Sequence, residues 1–449
     1  MALLFDLLPM SSLSTALMVA SAQCMQAALK NMIGIQGFLA SMGSKPHSQR
    51  KRMMSNIYSK SYLQSSPHLA RISRKLLFSR LFPILERHAD AGDSFDVYEL
   101  NNAITMDFVT AYIFGLPAST NFLEDVATRK HWIHAFQCRK PFEFYYQEVP
   151  NFIAWANYLN IPVIPRWCRG ANDYMESWGL ELCDNADKYM SSTDIELEPI
   201  VYKQLKLSML KQLPGNCKEP LDEETSKMLR IDVACELYDQ LTAGNETSAV
   251  ALTYLYWQLS KYPDLQHELR EELRQLSPII QPPLNDQSIP DLPSPKSVDA
   301  LPLLDAILME TLRLHAPIPG IQPRITPSPT SSLGGYENIP PNTRVNAQAY
   351  SLHLNPDVFP EPESWLPKRW LKPDGSPELD NMKRWFWAFG SGGRMCVGSN
   401  LALQEMKYVI ATIYSNYTTT IVDDEGIEAI DAYTVHPKSN KLILKLQRA

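Results

Sequence analysis

A chain of 449 residues with 45% hydrophobic and 20% charged content is long enough to bury a large core. Its formal net charge of -7 argues against a nucleic-acid binder, whose balance would be strongly basic, so any basic surface must be local. The seven cysteines are odd in number and scattered without a CxxC pair, which argues against a zinc ribbon or a disulfide framework and fits a reducing compartment.

From Leu7 to Leu29 the chain carries no charge. Pro9 and several serines and glutamines nevertheless make it weak for the roughly 20 apolar residues that a bilayer span needs. No basic stretch precedes it, as a signal peptide would have. It reads as a core or membrane-surface helix, and residues 1–46 as a distinct N-terminal segment. Residues 47–91 read as two or three helices with clustered bases (Arg50, Lys51, Arg52, Arg71, Arg74, Lys75). Helical patterns continue over 96–114 and 124–160. The second holds a run of aromatics, Trp132, Phe136, Phe142, Phe144, Tyr145, Tyr146, Phe152, Trp155 and Tyr158. Such a run ordinarily forms core; its functional counterpart is a substrate lid.

A polar loop at 214–225 precedes one long helix from about Ile231 to Tyr262, stopped by Pro263. The proline-rich stretch 278–302 reads as an irregular surface loop, followed by a helix from Val298 to about His315. Short strands are expected over 324–352, around Gly334–Gly335 and Pro340–Pro341. A proline-rich meander, a Gly-rich loop at 390–393, a helix over 400–414 and a strand at 441–446 complete a mainly α protein with a small β component. Asn245 and Asn416 begin Asn-x-Thr sequons, both read as lying within helices and so unglycosylated.

Three stretches carry chemistry. In the long helix, Ala243-Gly244-Asn245-Glu246-Thr247-Ser248 sets a glycine mid-helix, where it costs up to ~1 kcal/mol against alanine. A bare spot there can let the helix bulge and admit a ligand; it equally fits a packing site with Thr247 bonded back to a carbonyl. Glu310 and Arg313, three apart, share a helix face and alone read as a surface ion pair worth well under ~1 kcal/mol. The most informative stretch is Phe389-Gly390-Ser391-Gly392-Gly393-Arg394-Met395-Cys396-Val397-Gly398. Its glycines let the backbone approach a flat ligand. The helix that follows offers its positive N-terminal end to a thiolate. Arg394 is placed to meet an anionic group. On local chemistry alone, a Gly-rich loop around an incidental cysteine is an equal reading.

Residues 389–398 resemble, position for position, the haem-binding signature Phe-x-x-Gly-x-Arg-x-Cys-x-Gly of the cytochrome P450 family, and Leu401, Ala402, Glu405 and Lys407 continue the likeness. Glu310 and Arg313 are similar to that family's K-helix pair. Pro367-Lys368-Arg369-Trp370 resembles its Phe-x-Pro-Glu-Arg-Trp segment, with Lys368 where glutamate is usual, which makes Arg369 the third member of a structural cluster. Residues 243–248 resemble the Ala-Gly-x-Glu-Thr-Thr motif, with Ser248 in the last place; this implies Thr247 as a proton-delivering alcohol and Glu246 as its acid neighbour. The motifs stand in the family's order, and the resemblance covers about residues 47–447.

The resemblance implies the cytochrome P450 fold over residues 47–449 and haem (iron protoporphyrin IX) with Cys396 as axial iron ligand. It further implies Phe389, Gly390, Gly392, Arg394, Gly398, His47 and Arg324 as cofactor-binding residues. The implied activity is a monooxygenase that takes electrons from NADPH through a cytochrome P450 reductase, with cytochrome b5 as an accessory donor. The implied setting is a monomer acting on a lipophilic substrate at the cytoplasmic face of the endoplasmic reticulum. Segments 132–158, 316–321 and 434–436 lie where the family lines its pocket. The fungal character of the His47 helix and the meander points to specialised-metabolite biosynthesis of a terpenoid or polyketide. Arg50, Lys51, Arg52 and Lys407 are local bases that would attract an acidic reductase.

The front departs from the family pattern. No proline-rich hinge or strand pair precedes His47, so the N-terminal β region is incomplete or replaced. Four residues after His47, where the family commonly has an arginine that grips a haem propionate, stands Lys51. His47 fits the pattern, but the arginine's grip is not carried over to Lys51. Two other classes stay open, a haem-thiolate isomerase or dehydratase and a truncated, non-catalytic haem binder.

Overall fold

The computed structural model describes residues 44–142, 145, 149–213, 221–283 and 289–449. The expectations for residues 1–43, and for Phe144 and Tyr146, lie outside these described residues. Helix α1 (Ser44–Arg52) is followed by α2 (Lys60–Ser65) and α3 (Pro67–Arg74), which runs through wider turns at Lys75–Leu81 into α4 (Phe82–Ala91). Strand β1 (Ser94–Asp96) leads into α5 (Val97–Phe114), then α6 (Val126–Cys138), α7 (Pro150–Tyr158), α8 (Arg166–Asp187) and α9 (Ile200–Leu210). The long α10 (Glu223–Ser260) is followed by α11 (Pro263–Leu273), α12 (Pro295–Asp299) and α13 (Pro302–Leu314). Strands β2 (Ile321–Ile325), β3 (Ser331–Leu333), β4 (Tyr336–Ile339) and β5 (Arg344–Gln348) precede α14 (Ala349–His353) and α15 (Pro377–Trp385). Helix α16 (Ser399–Tyr414) and strands β6 (Tyr417–Asp423) and β7 (Ile443–Arg448) end the chain. The strands make three small antiparallel sheets, β1-β7-β6, β2-β5 and β3-β4.

The long helix begins eight residues before the expected Ile231, for a local reason. Asp222 caps it by accepting the Thr225 N–H at 2.9 Å, and Glu223 and Glu224 place negative charge in its first turn. Proline 263 opens the next helix, as expected, and the proline-rich stretch contains α12, whose cap is Ser294. Asn416 sits in the turn after α16 rather than within helix; its amide donates to Ile280 O and Thr412 O. Strands β1 and β6 had no clear pattern in the sequence.

The centre of the fold is the crossing of α5 and α10. Every residue of α5 except Glu99 is buried, so this helix lacks a polar face and is surrounded by protein. Its one buried carboxylate, Asp107, accepts from Thr120 Oγ1 and Phe122 N–H, both at 2.7 Å, and from Leu123 N–H at 3.2 Å, with Arg80 at 3.3 Å. At the crossing Asn245 donates to Asn102 O at 2.8 Å, and Thr105 Oγ1 donates to Asn245 O at 3.0 Å. Gly244 lies here. A Cβ on it would fall 2.7 Å from Val109 Cγ2, so glycine is required by close helix packing. The helix is regular α through this point, and the bulge considered from sequence does not form.

The meander is held by a buried carboxylate. Glu310 accepts from Arg313 Nε and Nη2 at 2.9 and 2.8 Å, from Arg369 Nε at 3.1 Å, from Trp370 Nε1 at 2.8 Å and from the Leu366 N–H at 2.9 Å. Glu310 and Arg313 side chains are wholly inaccessible to solvent, so the surface-pair reading of this motif does not hold. Arg313 also donates to the carbonyls of His353, Pro362 and Ser364, and Arg369 to those of Pro360 and Glu361. His353 continues the chain of contacts. One ring nitrogen bonds Arg313 O at 2.8 Å and the other accepts the Trp387 N–H at 2.8 Å, two residues before Phe389. Both roles are filled at once only by a neutral ring, and burial lowers its pKa to about 3.

Three outcomes are expected. Gly244→Ala gains up to ~1 kcal/mol of helix propensity but overpacks against stiff Val109 at a cost of about 1–3 kcal/mol, so urea melts show a net loss that Val109→Ala partly restores. Arg313→Ala leaves Glu310 charged and buried, and lowers unfolding free energy by about 3–5 kcal/mol in the same assay. His353, like His47 and His315 with pKa values near 3, excludes a proton that the unfolded chain takes up below the ordinary histidine value of 6.5. Their contribution is complete above pH 6.5 and is lost as pH falls from there toward 3, which melts at pH 7 and pH 5 would register.

Candidate functional site

The cysteine loop is a folded turn before it is a site. Cys396 N–H donates to Phe389 O at 2.9 Å, Met395 N–H to Gly392 O at 3.0 Å and Gly390 N–H to Trp387 O at 2.9 Å. Gly390 and Gly392 take φ values of +69° and +71°, which L side chains adopt only under strain. A side chain at Gly393 or Gly398 would meet no protein atom within 4 Å. The loop therefore presents bare backbone on both sides of the cysteine.

Among the described cysteines, Cys168, Cys183 and Cys235 are buried and Cys138 half-buried, while Cys396 is exposed. It stands three residues before α16, and the Gly398 and Ser399 N–H groups point at its sulfur. The protein crowded around this accessible sulfur pushes its pKa up. The Gly398 N–H, the Lys51 ammonium and the Ser399 N–H each oppose that rise in part.

Beside the cysteine, bases from three segments converge. His47 and Lys51 come from α1, Arg324 from β2 and Arg394 from the loop. Burial lowers the His47 pKa to about 3, followed by the charges of Arg394, Lys51 and Arg324. Arg394 falls to about 10 through burial and then through Arg324. Lys51, Arg324 and Arg394 are cations held close together beside a neutral His47, an arrangement that favours an anion in their midst. An exposed cysteine flanked by bare backbone and a cluster of bases fits haem, with its central metal and two carboxylates. His47, Arg324 and Arg394 could hold the carboxylates, and Cys396 the iron.

The expected acid and alcohol lie next to each other on α10 but face different partners. Thr247 is half-buried, one turn from exposed Ala243, and its Oγ1 donates to Ala243 O at 2.7 Å. This is the bonded-back arrangement that the sequence left open. Glu246 is buried and ion-paired with Lys140, just beyond α6. Lys140 and Glu246 both act electrostatically on His436, whose ring stacks on Tyr98 at 6.3 Å. The sequence named the 434–436 segment but missed Lys140, because nothing local marks a lysine that finds its partner 106 residues away.

The bases proposed to attract a redox partner are mostly engaged. Arg50 pairs with Asp232 and Glu236 of α10 at 2.8 and 3.1 Å, and Lys407 is buried between Asp299 and Asp305 at 3.0 and 2.8 Å. Lys51 donates to two loop carbonyls; Arg52 remains exposed. Periodicity could not show this, because the acids that capture these bases come from distant helices. The aromatic run also divides. Trp132 and Phe136 are buried, whereas Phe152, Trp155 and Tyr158 on α7 are exposed, Tyr158 at 84%.

The family model for cytochrome P450 matches residues 19–444. A cytochrome P450 monooxygenase of Aspergillus versicolor, avaI, is 30% identical over 371 residues, covering 80% of this chain and 78% of its own length. Another from Botryotinia fuckeliana, BOT1, is 25% identical over 84% of this chain and 68% of its own. A third, aflU of Aspergillus parasiticus, is 26% identical over 82% of this chain and 67% of its own. An exposed cysteine in a glycine-rich turn, a cluster of bases beside it and a match over most of the length agree: the chain belongs to the cytochrome P450 family, haem-containing oxidoreductases that receive electrons from a reductase partner.

Proposed function

We propose that Cys396 is the axial ligand of the haem and that the chain inserts one oxygen atom from dioxygen into a lipophilic organic substrate in specialised metabolism. The convergence of His47, Lys51, Arg324 and Arg394 from separate segments, with Lys51 also acting on Cys396, carries this reading. Haem bound through a thiolate supplies the activation of dioxygen, with electrons from NADPH through a reductase. Phe389, Gly390, Gly392 and Gly398 shape the loop, while the bases neutralise the carboxylates. Fungal relatives named as cytochrome P450 monooxygenases support the reaction class.

Proton delivery falls to α10. The Thr247 hydroxyl, on the open side of the helix beside Ala243, donates its proton and regains one from its surroundings. Glu246 is the nearest carboxyl in sequence, and to feed Thr247 it must first exchange Lys140 for another partner. The 47–449 portion carries these groups and is the catalytic part in this reading.

A reductase of the NADPH-dependent kind, with cytochrome b5 as accessory donor, would meet the monomer on the cysteine side. Exposed Lys45 and Arg52 of α1 contribute attraction there. We place the chain at the cytoplasmic face of the endoplasmic reticulum, in contact with the membrane surface. The exposed Phe152, Trp155, Tyr158 and Trp167, with Arg166 and Arg169 beside them, support a lipid-facing patch. No helix among the described residues is long and apolar enough to cross a membrane.

The test is the Soret band of the reduced, carbon monoxide-treated protein. A thiolate-type red shift that disappears in Cys396→Ala is expected; a band unchanged by that substitution would refute the ligand assignment. Thr247→Ala should keep that band and haem content while product formed per NADPH consumed drops, by ~100-fold if Thr247 delivers the proton in the limiting step. Full product yield in that variant would remove Thr247 from the mechanism.

A further inference from the structure

Consecutive residues of α1 point to different parts of the site. Arg50 ties α1 to α10, and Lys51 turns to the cysteine loop. Lys51 Nζ donates to Gly393 O at 3.0 Å and to Met395 O at 2.7 Å, the carbonyls on either side of Arg394. The second carbonyl belongs to the peptide whose N–H is that of Cys396, and that N–H is itself bonded to Phe389 O. The ammonium thus holds the peptide leading into the cysteine from the oxygen side while Phe389 holds it from the nitrogen side. Lys51 also lies within electrostatic reach of the Cys396 sulfur, each favouring the other's charged form.

We propose that Lys51 is a positioning residue for the thiolate, setting both the shape of the cysteine loop and the charge felt by its sulfur. This differs from the carboxylate grip that the resemblance attaches to an arginine at the same place, and leaves that grip to His47, Arg324 and Arg394. The side-chain chemistry agrees. A compact ammonium can share its protons between carbonyls of one tight turn, whereas a planar guanidinium is matched to a carboxylate. A fixed positive charge near the sulfur stabilises the anionic ligand and the more electron-rich, reduced state of the metal it binds. Its removal therefore lowers the reduction potential and loosens the sulfur's position.

The proposal rests on Cys396 as the haem ligand, and the experiment separates the two. Wild type, Lys51→Met, Lys51→Arg and Gln49→Ala, an exposed position on the same helix, are loaded with haem. The ferric–ferrous potential, the reduced carbon monoxide band and the rate of haem loss to excess apomyoglobin are then measured. Lys51→Met should shift the reduction equilibrium toward the ferric form by about tenfold, which is ~59 mV for one electron, and split the carbon monoxide band between thiolate and thiol types. Lys51→Arg, which keeps the charge, should hold the potential within about twofold in that equilibrium while still showing some splitting. Gln49→Ala should match wild type. Should Lys51→Met fail to retain haem, the Lys51→Arg pattern decides: an unsplit band overturns the loop-positioning role. Faster haem loss from Lys51→Met with unchanged potential and an unsplit band would show a carboxylate grip and overturn the proposal. A wild type without a thiolate-type band would instead refute the ligand assignment on which it rests.

Discussion

The Glu310 carboxylate accepts from Arg313 Nε and Nη2, Arg369, Trp370 and the Leu366 N–H, in a place that solvent does not reach. A charge so buried is tolerable only while every donor stays in place, because its desolvation is offset by all of them together. Through Arg313 the same arrangement fixes His353, and through His353 it fixes the Trp387 N–H at the entrance to the cysteine loop. The loop is thus anchored to the helical body through a continuous series of hydrogen bonds. Neutral His353 is its narrowest point, since a protonated ring could not accept from Trp387.

A second constraint acts on the other side of that loop. Lys51, Arg324 and Arg394 are brought together beside neutral His47 by the packing of α1 and β2 against it, at an electrostatic cost that a dianionic cofactor would relieve. These side chains are therefore arranged to receive negative charge. Lys51 stands slightly apart in this group because its hydrogen bonds go to the loop's own carbonyls. It links the geometry of the loop to the electrostatics of the sulfur.

The crossing of α5 and α10 decides what the long helix can offer. Gly244 allows the helices to approach, and Asn245 locks them by side-chain bonds to α5. With those residues turned into the core, Ala243 and Thr247 are left toward the open side and Glu246 toward Lys140. Neighbours in a six-residue motif thereby serve packing, an open helix face and ion pairing separately.

The sequence alone determined much of this protein. Helix positions followed from apolar spacing and proline stops, and the Cys396 loop followed from a run of specified residue types. Glu310, Arg313 and Arg369 could be grouped by resemblance, though nothing in their spacing showed that they are buried. Tertiary structure decided whatever depended on distant partners. Arg50 and Lys407 look like surface bases until Asp232, Glu236, Asp299 and Asp305 are brought to them. Glu246 looks like a free acid until Lys140 arrives, and Gly244 like a flexible point until Val109 is placed against it. Lys51 looked like a departure from pattern, and its contacts with Gly393 and Met395 came into view only with the fold. The physical reason is common to all of these: a local pattern fixes which way a side chain faces, but burial and charge pairing depend on elements that the chain brings in from far along its length.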